Sequence, residues 1–440
     1  MCTVTLGTLA NCEDGALTKI LWFINTPFKG FDSGKHMFGG RGGWLSNLAD
    51  LVRDEYQLSL ASVSPHGQQR SEQSGIVSYS IRPPYWKARL VANSLFDLHF
   101  SKEFTVRQLI SVIDKSRPDL IHIHGTEKGY IELLRFQDRI SAPILVSIQG
   151  IMSSVSRFFP GTYDRRALSN RRKGYGGKLA SVFLKSYLSE WANATSRAKR
   201  EQRLLPLARY VDGRTDYDHG YTRCIAPNAT YFHIDRLLRK AFYSTTWKGP
   251  FSKPRHVHTT MSDSLSKGFS LIAETAIIIS SILPGFQWRI AGLTPMSSSV
   301  IFTKRQFGRR YPDKAIRLLG NLDQEQLAEH LSLAPAYVMT SFTENSPNAL
   351  AEAQISGTPV IATDVGGTSS YIRHQHDGIL VPPGDPYALA GAVFRIFDDP
   401  ALAASLSGNG TATARIRHAP ERVRNQLQHA YRCVLSSANG

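Results

Sequence analysis

The chain has 440 residues, of which 42% are hydrophobic and 20% are charged. These values exclude a wholly disordered chain, a collagen and a coiled coil, and they fit two domains that each bury a core. The 52 Lys and Arg residues outnumber the 35 Asp and Glu residues by 17, and this positive balance favours anionic partners such as phosphorylated substrates, anionic lipid or nucleic acid.

The N-terminal tail, the apolar stretches and the cysteines indicate where the protein works. Residues 1–17 have no basic start and soon meet acidic residues, which predicts a loose tail rather than a secretory signal. The longest apolar stretch, near 276–283, is far shorter than the ~20 residues of a membrane span. The four cysteines form no C-x-x-C pair, so a reducing compartment is favoured. The expected location is the cytoplasm, with a peripheral position on the inner face of the cell membrane as the variant.

In the first half, short apolar runs alternate with an amphipathic run. They predict strands at 19–25, 58–64, 118–125 and 142–150, and a glycine-opened helix at 42–56. Continuous apolar strands separated by helices are typical of a parallel sheet with both faces covered.

The second half repeats this scheme more cleanly. Its predicted strands lie at 255–262, 286–292, 315–320, 336–340 and 358–367, and its predicted helices lie at 267–283, 323–331, 347–356 and 385–399. The two halves together predict an α/β protein with two doubly wound, Rossmann-like domains. Gly and Pro residues place the joint near 241–254. We therefore expect domains at 18–245 and 246–410, and a C-terminal helix within 411–440 that packs back on the first domain.

Residues 151–205 differ from both halves, because Arg and Lys residues alternate there with aromatic ones. We interpret this segment as a basic insertion of the first domain, on the acceptor side. It could contact anionic lipid or a lipid-diphosphate carrier. A solvated basic face over ordinary helices remains the alternative.

The most informative segment is 341–367, where Glu344 and Glu352 stand eight positions apart. Glu344 falls in the loop before the predicted helix, and Ser346 is placed to cap that helix. The backbone N–H groups of the first helical turn can bind an anion. These groups belong to Asn348, Ala349 and Leu350. Since a carboxylate can accept bonds from a vicinal diol, the pattern suits an elongated ligand with a phosphate and hydroxyl pairs. Ordinary solvated carboxylates are the alternative.

This segment resembles the signature of the retaining glycosyltransferases of family 4, whose GT-B fold sets two Rossmann-like domains across a cleft. The matching residues are Glu344-x7-Glu352, the G-T-P-V-I-A run at 357–362, and Gly366-Gly367. The resemblance covers nearly all of 255–408. In the first half it is patchier, and the run VDGRTDYD at 211–218 weakly resembles an exopolysaccharide-type subgroup.

The resemblance implies a donor, a reaction and a role for each matched residue. The donor would be a nucleotide diphosphate sugar, and a hexose would pass with retention to a glycan or lipid-linked acceptor in cell-surface polysaccharide synthesis. Glu352 would hold the ribose hydroxyls, Glu344 would contact the donor sugar, and Lys267 would neutralise the leaving diphosphate. A solvated lysine is the alternative for Lys267. Gly42 and Gly43, before the first helix, would let backbone amides approach the donor or acceptor, and Gly366 and Gly367 of the motif would also bind substrate.

His122 and His124 end a predicted strand and share one face. They could be polar residues at a sheet edge, core histidines or metal ligands. By the resemblance, a histidine of this pair faces the acceptor and assists its deprotonation, and we favour His124. Two further H-x-H pairs, at 256–258 and 374–376, lack a carboxylate at ligand spacing. We therefore expect neither a metal nor another cofactor.

Two positions depart from the family pattern. Ser262 stands where a basic residue usually lies five places before the lysine, and a phosphate contact could instead come from Arg255 or Arg289. Gln149 stands where many members have a histidine. These departures leave open a GT-B protein that binds without catalysis.

Other classes and routes also remain open. A nucleotide-sugar epimerase would use the same donor. A nucleic-acid-binding protein is not expected, because no helix-turn-helix, zinc-finger or RNP-like sequence is present. The absence of a G-x-G-x-x-G run disfavours a dehydrogenase. For the transfer itself, proton acceptance by the leaving phosphate and a covalent carboxylate intermediate are both compatible with the sequence.

Overall fold

The computed structural model describes residues 17–25, 43–63, 69–73, 75–81, 103–163 and 187–438. Gly42, nearly all of the predicted tail and residues 164–186 of the predicted insertion lie outside these ranges. Gly43 is the first residue of the first described helix.

The described residues form two sheets. The first sheet has eight strands in the order β3-β4-β2-β1-β5-β6-β7-β8, and only its edge pair β3–β4 is antiparallel. Its strands are β1 (Lys19–Ile24), β2 (Gln57–Val63), β3 (Gln69–Gln73), β4 (Ile76–Ile81), β5 (Leu120–His124), β6 (Ile144–Ser147), β7 (Tyr210–Gly213) and β8 (Thr230–His233).

The second sheet has six strands, all parallel, in the order β11-β10-β9-β12-β13-β14. Its strands are β9 (His256–Thr260), β10 (Gln287–Ala291), β11 (Ile316–Gly320), β12 (Tyr337–Met339), β13 (Val360–Thr363) and β14 (Ile379–Val381).

Helices connect the strands and cover both sheets. The described α-helices are α1 (Gly43–Val52), α2 (Glu103–Ser116), α3 (Met152–Phe158), α4 (Tyr187–Leu204), α5 (Asp216–Ile225), α6 (Lys240–Tyr243), α7 (Phe269–Ile282), α8 (Ser298–Phe307), α9 (Gln324–Ser332), α10 (Asn348–Ile355), α11 (Pro386–Asp398), α12 (Pro400–Arg417) and α13 (Pro420–Ala438). Every strand and helix that the sequence pattern predicted is present, with ends that differ by a few residues.

Strand β1 shows why continuous apolar strands form a covered sheet. Successive side chains point to opposite faces, so Ile20 and Trp22 pack in one core while Leu21 and Phe23 pack in another. The core with Trp22 is completed by α13, whose Tyr431 accepts a hydrogen bond from Trp22 Nε1 at 2.9 Å. The last helix of the chain therefore packs on the sheet formed by the first half.

The chain passes from the first domain to the second between two adjacent leucines. Leu237 lies in the core of the first sheet, whereas Leu238 packs with α6 in a core of the second. Residues 241–254, where Gly and Pro predicted the joint, continue along the second domain, and Trp247 there donates to the carbonyl oxygen of Ala334 at 2.8 Å.

One stretch of the described residues, Leu265–Ile282, is apolar and long enough by composition to span a membrane. In this fold 61% of it is buried, and α7 packs in the core of the second domain. Its burial is that of a core helix.

Candidate functional site

A cavity of about 300 Å³ lies at the carboxyl ends of β9 and β12, beside the start of α10. Ligands of doubly wound sheets collect at this edge. The cavity brings together four of the predicted site residues, Lys267, Glu344, Asn348 and Ala349. These residues come from two segments, the turn before α7 and the loop that leads into α10, so the fold itself assembles the site.

Lys267 and Glu344 form an ion pair inside the cavity. The Lys267 Nζ lies 2.5 Å from Glu344 Oε1, and Ser341 Oγ donates to the same oxygen at 2.7 Å. The side chains are 28% and 12% exposed, so both remain reachable from the cavity. The solvated-lysine alternative for Lys267 does not describe this environment.

Gly268 allows the turn that carries Lys267 to approach the loop that carries Glu344. Its φ is +77°, and a Cβ there would lie 2.0 Å from the carbonyl oxygen of Thr340. The turn is also bonded to the loop after β12, because Thr340 Oγ1 donates to the Lys267 carbonyl at 2.9 Å and Phe342 N donates to the Ser266 carbonyl at 2.7 Å. Only glycine fits between these backbones.

The first turn of α10 has amides without a helical partner, and two of its residues, Asn348 and Ala349, line the cavity. Its first helical bond runs from Ala351 N to the carbonyl oxygen of Pro347, which leaves the N–H groups of Asn348, Ala349 and Leu350 without a partner four residues earlier in the helix. Leu350 itself is buried in the core and anchors the helix. The expectation that Ser346 caps α10 is wrong. Pro347 is the cap residue, and no side chain of the described residues caps it.

Glu352 lies outside the cavity and is already paired. Arg239 Nε donates to Oε1 and Arg239 Nη2 donates to Oε2, both at 2.7 Å. The glutamate is 4% exposed. Burial raises the pKa of its carboxyl, and the neighbouring Arg239 opposes that shift. The carboxylate of Glu352, which by the resemblance would bind the ribose hydroxyls, is therefore bound by the Arg239 guanidinium.

Gly366 and Gly367 pack against the loop that carries Glu344. A Cβ at either position would lie 2.0 Å from a backbone oxygen, that of Glu344 or that of Asn345. Neither glycine lines the cavity. Their observed role is to let two backbones meet.

The two histidines lie in the core of the first domain, and neither lines the cavity. His122 contacts Tyr431 Oη at 2.8 Å through Nδ1, and it contacts Asp212 Oδ2 at 2.9 Å through Nε2. His124 is 1% exposed and stands edge-on to Trp22, with ring centroids 4.7 Å apart. Burial, followed by the charge of His122, holds the pKa of His124 well below 6.5. The core-histidine alternative describes both residues.

Sequence reasoning missed two arginines on the segment between β8 and α6. Arg239 holds Glu352, and Arg236 lines the cavity, where its Nη1 donates to Asn348 Oδ1 at 3.0 Å. The suggested substitutes for the base missing at Ser262 are wrong. Arg255 lies just before β9, at the edge of the sheet opposite the cavity. Arg289, on β10, lies beside His256, the first residue of β9. The sequence signal for these residues was the presence of two arginines in the segment that crosses between the domains.

The loop after β12 also contacts the first domain. Asn345, missed from sequence, accepts a bond from Thr215 Oγ1 at 2.9 Å and donates to Asp218 Oδ2 at 2.9 Å. Asn345 Nδ2 also lies 3.4 Å from the backbone oxygen of Gln149. The loop with Glu344 therefore lies directly against the first domain. Within the described ranges, no three His, Cys, Asp or Glu side chains are placed to hold a metal ion.

Comparison with known proteins finds sequence similarity within the second domain. Residues 260–399 match the model of the family described as glycosyl transferases group 1. The D-inositol 3-phosphate glycosyltransferase of Streptomyces bingchenggensis is 40% identical over 97 residues, which are 22% of this chain and 21% of that protein. The chain thus spans about a fifth of the length of this curated relative.

Solved structures match over nearly the whole chain. Sucrose-phosphate synthase of Thermosynechococcus elongatus superposes with a TM-score of 0.71 at 19% identity, covering 96% of this chain and 100% of that one. Anabaena HepE in complex with UDP-glucose superposes with a TM-score of 0.59 at 15% identity, covering 95% and 99%. The GT-B fold predicted from the sequence is confirmed by these superpositions, and residues 260–399 are similar to the glycosyl transferases group 1 model.

Proposed function

We propose that the chain is a retaining glycosyltransferase that moves a hexose from a nucleotide diphosphate sugar to a glycan or lipid-linked acceptor. The observation that carries this proposal is the Lys267–Glu344 pair, 2.5 Å apart, beside the uncapped first turn of α10 in one cavity. The similarity to HepE with UDP-glucose supports a uridine nucleotide and a glucose-type sugar.

The cavity offers a diphosphate two kinds of positive partner. The amides of the first turn of α10 carry the positive end of the helix dipole, and the Lys267 ammonium adds a cationic donor whose charge is balanced in part by Glu344. Negative charge grows on the diphosphate as the sugar departs, so these fixed donors stabilise the transition state more than the ground state.

We assign the acceptor proton to the leaving phosphate. The bond between the anomeric carbon and the β-phosphate oxygen breaks, the acceptor oxygen bonds to that carbon on the same face, and its proton passes to the phosphate oxygen. A covalent route would need a strongly nucleophilic carboxylate, and the contacts of Lys267 and Ser341 with Glu344 Oε1 make this carboxylate a weaker nucleophile. His124 is buried and weakly basic, and it stays a prediction for the acceptor side.

We propose a place of action on the inner face of the cell membrane, in cell-surface polysaccharide synthesis. The net charge of +17 supports attraction to anionic lipid. In the described part of the basic insertion, Arg157 is accompanied by Phe158, an aromatic residue that is 44% exposed. A cationic surface with an exposed ring suits an interface with lipid headgroups.

Thermal unfolding with UDP, GDP, ADP and their sugar conjugates tests the proposal. At a hundredfold excess over its dissociation constant, a ligand of the folded form adds about 2.7 kcal/mol of stability. We expect one nucleotide to raise the midpoint of the wild type, and Lys267→Met to lose most of this shift. Lys304→Met, which removes a surface lysine paired with Asp313, should keep it. Failure of every nucleotide to stabilise the wild type would overturn the proposal.

A further inference from the structure

The cavity lacks the basic side chain that the family resemblance predicts at Ser262, beside the place where a diphosphate would bind. Ser262 lines the cavity at the position where the family resemblance leads one to expect a base. A hydroxyl can donate one hydrogen bond to a phosphate oxygen, but it brings no charge. The Lys267 charge is moreover shared with Glu344 at 2.5 Å.

Arg236 stands in the same cavity but comes from a different part of the chain. It lies immediately before Leu237 and Leu238, where the chain crosses from the first core to the second. It is 7% exposed, and its Nη1 donates to the side-chain oxygen of Asn348, the first residue of α10, at 3.0 Å. The guanidinium thus lies beside the amides that already favour an anion.

The electrostatic setting of Arg236 favours an incoming anion. Burial, followed by the nearby charge of Arg214, lowers the pKa of Arg236 to about 9, against the opposing charges of Tyr371, Glu127 and Asp212. The charged side chains that line the cavity in the described structure are Arg236, Lys267 and Glu344. Because the last two form an ion pair with each other, Arg236 is the cationic side chain among these three that stands outside that ion pair.

We propose that Arg236 binds the diphosphate of the donor and so replaces the base that is missing at Ser262. The planar guanidinium presents paired N–H donors that match two phosphate oxygens, which a lysine cannot do. This inference rests on the proposed function, since it needs a nucleotide diphosphate in the cavity. It also implies that a bound diphosphate contacts the point where the chain crosses between the domains.

Calorimetric titration with UDP and with UMP tests the assignment, because the two ligands differ by one phosphate. The wild type is compared with Arg236→Gln, with Arg236→Lys, and with Arg317→Gln as a control on an exposed arginine of β11. We expect the preference for UDP over UMP to fall by about tenfold or more in Arg236→Gln, the scale of a charge-assisted hydrogen bond. It should fall less in Arg236→Lys and stay unchanged in Arg317→Gln.

A merely structural role for Arg236 would weaken UDP and UMP to the same degree, so an unchanged preference in folded Arg236→Gln overturns the inference and leaves the proposed function standing. If Arg236→Gln does not fold, Arg236→Lys decides the matter, because it keeps the charge and loses only the planar guanidinium. A smaller preference for UDP over UMP in Arg236→Lys then supports the inference, and an unchanged preference overturns it. A wild type that binds neither nucleotide refutes the proposed function, and this inference falls with it.

Discussion

Removal of Arg239 is expected to strengthen nucleotide binding. Its guanidinium takes both oxygens of Glu352 at 2.7 Å, with side chains that are 15% and 5% exposed. If Glu352 holds the ribose hydroxyls, the ribose must displace or share these bonds. Arg239→Met removes the competitor while it keeps an apolar side chain in the same space.

The structure gives the size of this effect. Hydrogen bonds to charged groups contribute about 1.5–3 kcal/mol each, so a ribose that displaces one of the two loses that amount. The corresponding change in dissociation constant is about tenfold to a hundredfold. Because burial raises the pKa of the Glu352 carboxyl and the loss of Arg239 raises it further, the comparison is best made at alkaline pH, which favours the ionised carboxylate.

Calorimetric titration with UDP measures the change directly. Arg239→Met should bind UDP at least about tenfold more tightly than the wild type. The double variant Arg239→Met/Glu352→Gln is the matched control and should show no gain, since the carboxylate is gone. Equal or weaker binding by folded Arg239→Met would refute the reasoning, and it would mean that Arg239 orients Glu352 rather than competing with the ribose.

Two further predictions concern the packing around the sites. Gly268→Ala should weaken UDP binding and lower the unfolding midpoint, because the new Cβ would lie 2.0 Å from the Thr340 carbonyl oxygen. Gly308→Ala is the control: its φ is +55° and nothing lies within 4 Å, so it carries only the backbone strain of ~1 kcal/mol. Equal effects of the two substitutions would contradict this prediction. Burial raises the pKa of the Glu201 carboxyl to about 7 against the hydrogen bonds of Thr126 and Tyr221. The folded state then keeps a proton that the unfolded state releases near pH 4.5, so stability falls by about 3 kcal/mol as the pH rises from 4.5 to 7. Urea unfolding of Glu201→Gln at pH 5 and pH 8 should show less of this fall, and an unchanged pH dependence would count against the assignment.

The sequence predicted the parts of the site that depend on local pattern. The spacing of Glu344 and Glu352 and the helix between them are visible within one segment. Lys267 follows a predicted parallel strand, which places it at the edge of the sheet where ligands collect, but its pairing with Glu344 was not predicted. These inferences need only the sheet direction and the helix start.

Contacts between distant segments could not be predicted in this way. Arg239 is 113 residues from Glu352, and their meeting depends on how the chain crosses between the domains. His122 reads as a substrate contact at the end of β5, yet its partner Tyr431 is 309 residues away on the last helix. No periodicity in a single sequence encodes such pairings, because they arise from tertiary packing.

The central claim is that the cavity beside α10 binds a nucleotide diphosphate, and a crystal structure of the chain with UDP tests it most directly. We expect phosphate oxygens within about 3 Å of Lys267 Nζ and of the amides at Asn348 and Ala349, the range of charge-assisted hydrogen bonds. UDP bound at another surface, with this cavity left to solvent, would contradict the claim.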